Sequence, residues 1–245
     1  MDLKGKNVLV TGAAKRIGAV IARHFADRGA NILLHCHRSR NEAEKLAKQL
    51  RKKKVRTRIY SADLTDMDDT RRMCREILKD VRVVDVLVNS ASIFYPIAFA
   101  KIEEKNWDDV LSIHLKAPFF LAQALAPAMK KKGAGRIINI ADWAALRPYK
   151  DFLPYCVSKA GLITMTQALA RTLAPEILVT AICPGAILPP PWLKTADRRA
   201  AARKILVGHW GRPEDIARAA VFLAEQDFIT GSYHLVDGGE FLKGF

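Results

Sequence analysis

A tyrosine and a lysine stand four residues apart in a segment with a helical pattern. Tyr155 and Lys159 lie within the sequence PYCVSKAGLITMTQAL, and residues four apart project from one face of a helix. A lysine ammonium beside a phenol favours the phenolate and lowers the phenol pKa from about 10 toward the operating range of a general acid. The pair therefore predicts a proton donor, although the same spacing occurs by chance on many helices.

A glycine-containing turn follows the first apolar run. The segment 11–18 (TGAAKRIG) joins a predicted strand to a predicted helix. Gly12 allows a sharp turn, and backbone N–H groups at a helix start bind a pyrophosphate. Lys15 and Arg16 add positive charge where that anion would sit. The turn therefore predicts a dinucleotide site, and the alternative is a simple tight turn.

The residues after the second predicted strand distinguish one dinucleotide from the other. An Asp or Glu here would bind the ribose 2′-hydroxyl of NAD, whereas this chain has His37, Arg38 and Ser39. These residues suit the 2′-phosphate of NADP, so the sequence predicts NADPH as the cofactor. The alternative is that Ser39 is only an N-cap and that Arg38 is only exposed. Ser39 with Glu42 three residues on also predicts a capping box at the start of the next helix.

Alternating strands and helices must position these residues. Strands are predicted at 7–12, 31–36, 56–62, 84–91, 135–141, 178–185 and 233–239. Helices are predicted at 16–28, 41–53, 66–80, 104–131, 155–174 and 213–225, the last with Pro213 as its first residue. The alternation indicates an α/β fold with a single Rossmann-type, doubly wound parallel sheet and helices on both faces, over residues 1–245. The irregular segment 186–208 is predicted to be a substrate loop or lid, or a plain surface insertion.

Composition narrows the class of protein. The 245 residues are 50% hydrophobic and 27% charged, which excludes disorder and collagen, and no uninterrupted apolar run reaches about 18 residues, so no membrane partner is expected. The four cysteines show no CxxC or zinc spacing, so we expect no metal and a cytoplasmic location. The net charge of +15 favours anionic partners. The basic segments 40–58, 130–132 and 194–204 lack interleaved aromatics, so we expect solvated faces and no nucleic acid.

The order of motifs along the chain resembles that of short-chain dehydrogenases/reductases. The TGAAKRIG turn is followed by Asp63 with Leu64, and then by NSA at 89–91, YCVSK at 155–159, CPG at 183–185 and VDGG at 236–239. The likeness spans the whole chain. It implies a Rossmann-type single domain, a nicotinamide cofactor, Tyr155 as proton donor, Lys159 on the nicotinamide ribose, and a homotetramer.

Three positions depart from the commonest pattern of that family. Arg16 replaces the middle glycine of TGxxxGxG, and Asp142 replaces the catalytic serine thirteen residues before Tyr155. His114 replaces the asparagine that holds a water of the proton relay. An imidazole can bridge a water, but His114 can equally be a buried core histidine.

The first two departures resemble the pteridine reductase branch of the family, as do HCHRS at 35–39 and NSASIFYP at 89–96. The branch implies substrate contacts for Arg16, Phe94, Asp142 and Tyr155, and catalysis by Asp142, Tyr155 and Lys159. The resemblance implies that the cofactor is bound by Gly12, Lys15, Arg16, Ile17, Gly18, His37, Arg38, Ser39, Asp63, Leu64, Asn89, Ala91, Ser92, Tyr155, Lys159, Pro184 and Gly185.

Asp142 has a chemical consequence for the substrate class. An ionised carboxylate would repel a carbonyl oxygen that is becoming an alkoxide, so ordinary ketone reduction is disfavoured. A pterin offers ring N–H and amino donors to a carboxylate, and it needs a proton on nitrogen as hydride reaches carbon. Phe94 would give a flat heterocycle a stacking partner. The alternatives are a helix-cap or turn role for Asp142 and core packing for Phe94.

Three hypotheses of function follow. The leading one is an NADPH-dependent reductase of a pterin or dihydrofolate-like ring. The second keeps the fold and reduces another substrate, such as a 3-oxoacyl thioester or a quinone; Asp142 argues against the thioester. The third is a binding protein that uses an NADP site as a sensor or its basic surface for nucleic acid, and the intact pair of Tyr155 and Lys159 argues against it. Trp143, Trp192 and Trp210 are candidates for the substrate pocket.

Overall fold

The computed structural model describes residues 1–189 and 193–243. Within these residues, seven strands form one sheet with the order β3-β2-β1-β4-β5-β6-β7, and every neighbouring pair is parallel. The strands are β1 (Asn7–Val10), β2 (Asn31–Cys36), β3 (Thr57–Ser61), β4 (Val86–Asn89), β5 (Gly135–Ile140), β6 (Ile177–Pro184) and β7 (Tyr233–Val236). The predicted doubly wound parallel sheet is confirmed.

Helices connect the strands and cover both faces of the sheet. They are α1 (Arg16–Asp27), α2 (Arg40–Arg51), α3 (Met67–Val81), α4 (Glu104–Leu111), α5 (Ala117–Lys132), α6 (Leu153–Leu173), α7 (Thr195–Ala202), α8 (Pro213–Glu225) and α9 (Glu240–Lys243). Short 3₁₀ turns occupy Phe99–Lys101 and Trp143–Ala145, and a π-turn occupies Ser112–Lys116.

The side chains of β1 alternate between the two faces, as the period of a strand requires. Val8 and Val10 lie in the core cluster with Phe25 of α1, whereas Leu9 lies in the opposite cluster with Leu121 of α5. Because helices bury both faces, the central strands β1, β2 and β4 are buried at nearly every position.

The order of the strands reverses between β1 and β4. Val10 pairs with Leu34 of β2 on one side and with Val88 of β4 on the other. In open sheets of this kind, the crevice outside the carboxyl ends of the strands at the reversal is where ligands bind. The glycine turn after β1 lies at this crevice.

Several predicted boundaries needed correction. The predicted helix 104–131 is interrupted by the π-turn, because backbone bonding shifts there between α4 and α5. Eight residues of the segment 186–208, which was predicted as irregular, form α7, and residues 190–192 of that segment lie outside the described ranges. Strand β7 ends at Val236, before the glycine pair of the VDGG motif.

The capping box predicted at Ser39 is wrong. Ser39 precedes α2, but its side chain makes no capping hydrogen bond. The Glu42 carboxylate instead pairs with the Lys15 ammonium at 2.7 Å. The charge of Lys15 is thereby directed toward α2 and not toward the glycine turn. By contrast, Pro213 is the first residue of α8, as predicted.

One helical stretch of the described chain, Glu104–Lys132, is long and apolar enough to cross a membrane by length and composition alone. Its side chains Leu121, Leu125 and Met129 are fully buried in the core cluster that α5 forms with α3 and the sheet. This burial is the packing of a core helix against a sheet.

Candidate active site

One threonine joins the ends of β1 and β4 at the crevice. Thr11 Oγ1 accepts hydrogen bonds from the backbone N–H groups of Ser90 (2.9 Å) and Ala91 (3.0 Å). Gly12 follows in the left-handed region with φ +64°, and a Cβ there would lie 2.8 Å from the Ala91 Cα. Glycine is required at this crossing both for its backbone angle and for the space.

Helix α1 begins directly behind the turn. A Cβ at Gly18 would overlap the carbonyl oxygen of Gly12, so helix and turn pack closely. Lys15 occupies the N-cap position without a side-chain capping bond, which leaves first-turn N–H groups open to an anion. Arg16 is exposed with φ +53°, and Ile17 packs against the core. These features fit a dinucleotide pyrophosphate.

A buried histidine fixes the turn from beneath. The Gly12 N–H donates to His35 Nδ1 (3.1 Å), and His35 Nε2 lies 3.1 Å from the carbonyl oxygen of Ala62. Since an amide N–H only donates and a carbonyl only accepts, the imidazole carries its proton on Nε2. Burial lowers the pKa of His35 to about 4, so the ring is neutral at neutral pH. Sequence reasoning missed this role, and its only signal was the position of His35 in the HCHRS run.

The end of β2 forms an open rim. His37 and Arg38 are exposed and Ser39 is half-buried. His37 Nε2 lies 3.5 Å from Asp63 Oδ2, at the end of β3. The neighbouring Leu64 is buried in the core and anchors that end. Imidazole, guanidinium and hydroxyl groups are thus collected beside the glycine turn, with the Asp63 carboxylate next to His37.

Asn89 ends β4 with one oxygen unpaired. Its Nδ2 donates to Asn139 Oδ1 (2.8 Å), and Asn139 Nδ2 donates to Thr166 Oγ1 (2.9 Å). Within the described chain, Asn89 Oδ1 is buried with no hydrogen-bond partner. A buried acceptor normally has a hydrogen-bond donor, so this oxygen at the carboxyl end of β4 is a candidate contact for a ligand. Ala91 and Ser92 follow Asn89 along the crevice.

The end of β6 lies against β7 and the turn after it. The Gly185 N–H donates to the carbonyl oxygen of Val236 (3.1 Å). A Cβ at Gly185 would lie 2.6 Å from the Asp237 Cα, so glycine permits this close approach. Pro184, the last residue of β6, is buried.

Asp142 and Tyr155 are in direct contact. The Tyr155 hydroxyl donates to Asp142 Oδ2 at 2.7 Å. The other oxygen, Oδ1, accepts from the Ala144 N–H (2.8 Å), and the Tyr149 hydroxyl lies 3.5 Å away. Asp142 therefore both caps the turn after β5 and binds the tyrosine hydroxyl. The cap that the sequence offered as the alternative is present, and the catalytic role of Asp142 stays a prediction.

The pKa of Tyr155 shifts in the direction opposite to the sequence prediction. Burial, followed by the Asp142 carboxylate, raises the pKa of Tyr155 well above its ordinary value. The Lys159 ammonium lies 5.6 Å from the centre of the tyrosine ring and donates to the carbonyl oxygen of Ile140 (2.7 Å). Burial lowers the pKa of Lys159 to about 8, and burial also raises the pKa of Asp142. The expected Lys159 effect on the phenol is outweighed because the hydroxyl is buried and because its hydrogen-bond partner is a carboxylate and not the Lys159 ammonium.

Phe94 belongs to an aromatic cluster at the mouth of the site. Its ring stacks on Phe152 with centroids 4.5 Å apart and meets the edge of Tyr155 at 4.9 Å. It remains 37% exposed, so it is not the core residue of the alternative interpretation. The described contacts join Phe94, Tyr155 and Asp142, and none of them includes Arg16.

His114 is buried in the π-turn and packs against the tyrosine. The two rings meet edge to face with centroids 5.3 Å apart. His114 Nδ1 lies 2.9 Å from Ser158 Oγ, and Nε2 lies 2.9 Å from Ser92 Oγ. Sequence analysis singled out His114 but did not find its serine partners.

Two of the tryptophans predicted to line the substrate pocket lie in different parts of the structure. Trp143 is buried with its ring edge-on to Tyr149, at a centroid distance of 5.0 Å. Trp210 Nε1 donates to the carbonyl oxygen of Arg198 (3.0 Å) and so ties α7 to the segment before α8. Trp192, the third candidate for the pocket, lies outside the described residues.

Comparisons with known proteins agree on the family. A family model of short chain dehydrogenases matches residues 6–199. The 3-oxoacyl-acyl-carrier-protein reductase FabG of Thermotoga maritima is 32% identical over 244 residues, which cover 98% of this chain and 99% of that protein.

Two solved structures share the whole architecture. FolM alternative dihydrofolate reductase 1 from Brucella canis, complexed with NADP, is 30% identical with a TM-score of 0.92, covering 98% of this chain and 96% of that one. A blue fluorescent protein from a metagenomic library, in complex with NADPH, is 32% identical with a TM-score of 0.90, covering 98% and 99%. With a family model matching most of its length, this chain belongs to the short chain dehydrogenase family of oxidoreductases.

Proposed function

We propose that this chain is an NADPH-dependent reductase of a pterin or a dihydrofolate-like ring. The observation that carries the proposal is the 2.7 Å hydrogen bond from the Tyr155 hydroxyl to Asp142. It sets a carboxylate beside the proton donor, at the position where ketone-reducing relatives carry a serine. A developing alkoxide would be repelled there, whereas a ring that bears N–H and amino donors would be attracted.

The crevice supports NADPH as the reductant. When bound, NADPH supplies the hydride that the reduction consumes. Gly12 and the first turn of α1 would hold the pyrophosphate on backbone N–H groups. His37, Arg38 and Ser39 would bind the 2′-phosphate, since the end of β2 carries imidazole, guanidinium and hydroxyl groups where an NAD site has an Asp or Glu.

Asp142, Tyr155 and Lys159 would carry the proton transfer. The raised pKa of Tyr155 keeps its phenol protonated until a more basic acceptor arrives. A ring nitrogen that gains electron density as hydride reaches the adjacent carbon is such an acceptor. The Lys159 ammonium, 5.6 Å from the tyrosine ring, then stabilises the phenolate left behind, and the Asp142 carboxylate, which disfavours a neighbouring phenolate, favours return of a proton to it.

Phe94 and Arg16 are the proposed substrate contacts outside the proton-transfer group. Phe94 lies 4.9 Å from the Tyr155 ring and is partly exposed, so a flat heterocycle can stack beside the proton donor. Arg16 is exposed at the start of α1, beside the proposed pyrophosphate site, and its proposed contacts with a cofactor phosphate and a bound ring rest on the resemblance to pteridine reductases. The likeness to FolM alternative dihydrofolate reductase 1 supports this substrate class.

A second candidate is reduction of a 3-oxoacyl thioester. It is favoured by the 32% identity to FabG of Thermotoga maritima. Asp142 argues against it on electrostatic grounds, because hydride addition to the 3-oxo group develops negative charge on the carbonyl oxygen.

We also propose a cytoplasmic location and a homotetramer, without a nucleic-acid or membrane partner. Cys36, Cys74, Cys156 and Cys183 are all buried free thiols, as in a reducing compartment. The basic residues of α2 lie on an exposed face, and Arg40 pairs with Glu44 at 3.0 Å.

NADPH oxidation by the purified chain tests the proposal. The panel contains biopterin, dihydrobiopterin, dihydrofolate, an acetoacetyl thioester and a quinone. We expect the highest kcat/KM with a pterin or dihydrofolate. A preference for the thioester or the quinone would displace the pterin proposal in favour of that substrate. Equal kcat/KM with NADPH and NADH would contradict the role of the rim at 37–39.

A further inference from the structure

His114 makes hydrogen-bond contacts from both nitrogens, on opposite sides of its ring. On one side, Nε2 lies 2.9 Å from Ser92 Oγ and 3.3 Å from the Ile93 backbone nitrogen. On the other side, Nδ1 lies 2.9 Å from Ser158 Oγ, which in turn lies 2.6 Å from the carbonyl oxygen of Tyr155. The ring therefore bridges the segment after β4 and the first turns of α6.

The partners fix which nitrogen carries the proton. The Ile93 N–H can only donate, so Nε2 is the acceptor and is unprotonated. The carbonyl oxygen of Tyr155 can only accept, so the single proton of the Ser158 hydroxyl is used there. Ser158 Oγ must then accept from Nδ1–H. Both ends reach the same assignment independently.

We propose that His114 is a positioning residue, held as the neutral Nδ1–H tautomer, which sets the Ser92–Phe94 segment and Tyr155 relative to each other. Phe94 follows Ser92 and Ile93 directly, so the Nε2 contacts orient the proposed stacking ring. The Ser158 contact and the edge packing at 5.3 Å orient the tyrosine. The placement in a π-turn, which aims a helix side chain inward, matches this use.

The surroundings also keep the ring neutral. Burial, followed by the nearby Lys159 ammonium, lowers the pKa of His114 well below its ordinary value. An imidazolium would in addition set a second N–H against that of Ile93. His114 therefore orients its neighbours and does not exchange a proton during turnover.

Nitrogen-15 NMR of the histidine rings tests the tautomer directly. The chain has six histidines, and the signals lost in His114→Asn assign those of residue 114. At pH 7 we expect a protonated Nδ1 and an unprotonated Nε2. A protonated Nε2, or two protonated nitrogens, would overturn the proposal. This readout does not depend on which substrate the enzyme reduces.

Two variants separate the two sides of the ring. His114→Asn keeps a donor near the Nδ1 position and loses the acceptor at Nε2, while His114→Gln keeps an acceptor near Nε2 and loses the donor. We expect His114→Asn mainly to raise KM for the ring substrate, through Phe94. We expect His114→Gln mainly to lower kcat, through Tyr155, on the order of tenfold for one lost hydrogen bond.

Matched controls complete the test. Ser158→Ala should reproduce the kcat loss of His114→Gln, and the two changes together should cost little more than either alone. His234→Gln, which removes another serine-bonded histidine (2.9 Å) outside the site, should leave both constants unchanged. If both His114 variants lower kcat and raise KM by similar factors, together with a fall in Tm, His114 is merely structural and the proposal is overturned.

The kinetic part rests on the proposed function and is measured with whichever substrate the panel identifies. If the panel favours a thioester, the pterin assignment fails. The His114 tautomer, and the separate effects of the two His114 variants on kcat and KM, are then tested with the thioester as substrate. The two failures are therefore distinguishable.

Discussion

The Tyr155 hydroxyl donates its hydrogen bond to Asp142 at 2.7 Å. The spacing of Tyr155 and Lys159 by itself predicts a lowered pKa for the phenol. The structure reverses that prediction, because the group that touches the phenol is a carboxylate and not an ammonium. Burial and the carboxylate together raise the pKa of Tyr155. The proton donor that we propose is therefore a phenol with a raised pKa, which gives up its proton only to a basic acceptor.

Replacing Tyr155 with Phe removes that proton and keeps the ring. We expect kcat to fall on the order of 10²–10⁴, the range for a general acid or base, with the Kd of NADPH little changed. Steady-state kinetics and fluorescence titration of the cofactor measure the two quantities. Near-normal turnover would mean that another group supplies the proton.

Gly12→Ala tests the turn at the crevice against a matched glycine. The new Cβ would lie 2.8 Å from the Ala91 Cα at a residue with φ +64°, so we expect both lower stability and weaker NADPH binding. In Gly133→Ala the backbone angle is similar, φ +76°, but nothing lies within 4 Å. That control should cost about 1 kcal/mol of strain and leave the Kd of NADPH unchanged. An unchanged Kd in Gly12→Ala would contradict the assignment of the turn.

Lys159 makes stability depend on pH at the alkaline end. Its pKa is lowered by burial to about 8 in the folded chain and is about 10.4 when unfolded. A lowered pKa contributes stability that is complete above the unfolded value and is lost as pH falls through about 8. The free energy of unfolding should therefore rise relative to Lys159→Met between pH 8 and 10.5, by at most about 3 kcal/mol.

Urea unfolding of both proteins across that range measures the effect. The methionine variant supplies the control because it keeps the length of the side chain and has no charge to titrate. A difference between the two proteins that stays constant with pH would contradict a Lys159 pKa near 8.

The sequence predicts well those parts of the site that are close together along the chain. The glycine turn follows β1 directly, and Tyr155 and Lys159 both lie on one helix, α6, so local geometry is enough to place them. It predicts poorly what depends on distant residues. The contact of His35 with Gly12 spans 23 positions and that of His114 with Ser158 spans 44.

The failed capping box shows the same limit at short range. Glu42 stands at the correct spacing from Ser39 for a capping box. The Lys15 ammonium, brought close by the turn before α1, pairs with Glu42 at 2.7 Å instead. A charged partner from another element outweighs a local motif, and that partner is visible only once the fold is known.

Assembly can be tested on the outer face of α6. Leu153 and Val157 are 41% and 43% exposed there, and with Ile97 and Phe99 they line an apolar groove of about 570 Å³. Apolar surface of this kind is characteristic of an interface. We expect a homotetramer by light scattering at micromolar concentration and a smaller species for Val157→Glu. A monomeric wild-type chain would contradict the proposed assembly.

Asp142→Ser tests the central claim most directly, because it restores the residue type of ketone-reducing relatives. If the carboxylate attracts the donors of a pterin, the change should weaken pterin reduction by one to a few kcal/mol in kcat/KM. Ketone or quinone reduction should stay level or rise, since repulsion toward an alkoxide is relieved, and the Kd of NADPH should not change. Opposite directions on the two substrates are the predicted result. If both activities fall together with Tm, Asp142 is structural and the pterin proposal is contradicted.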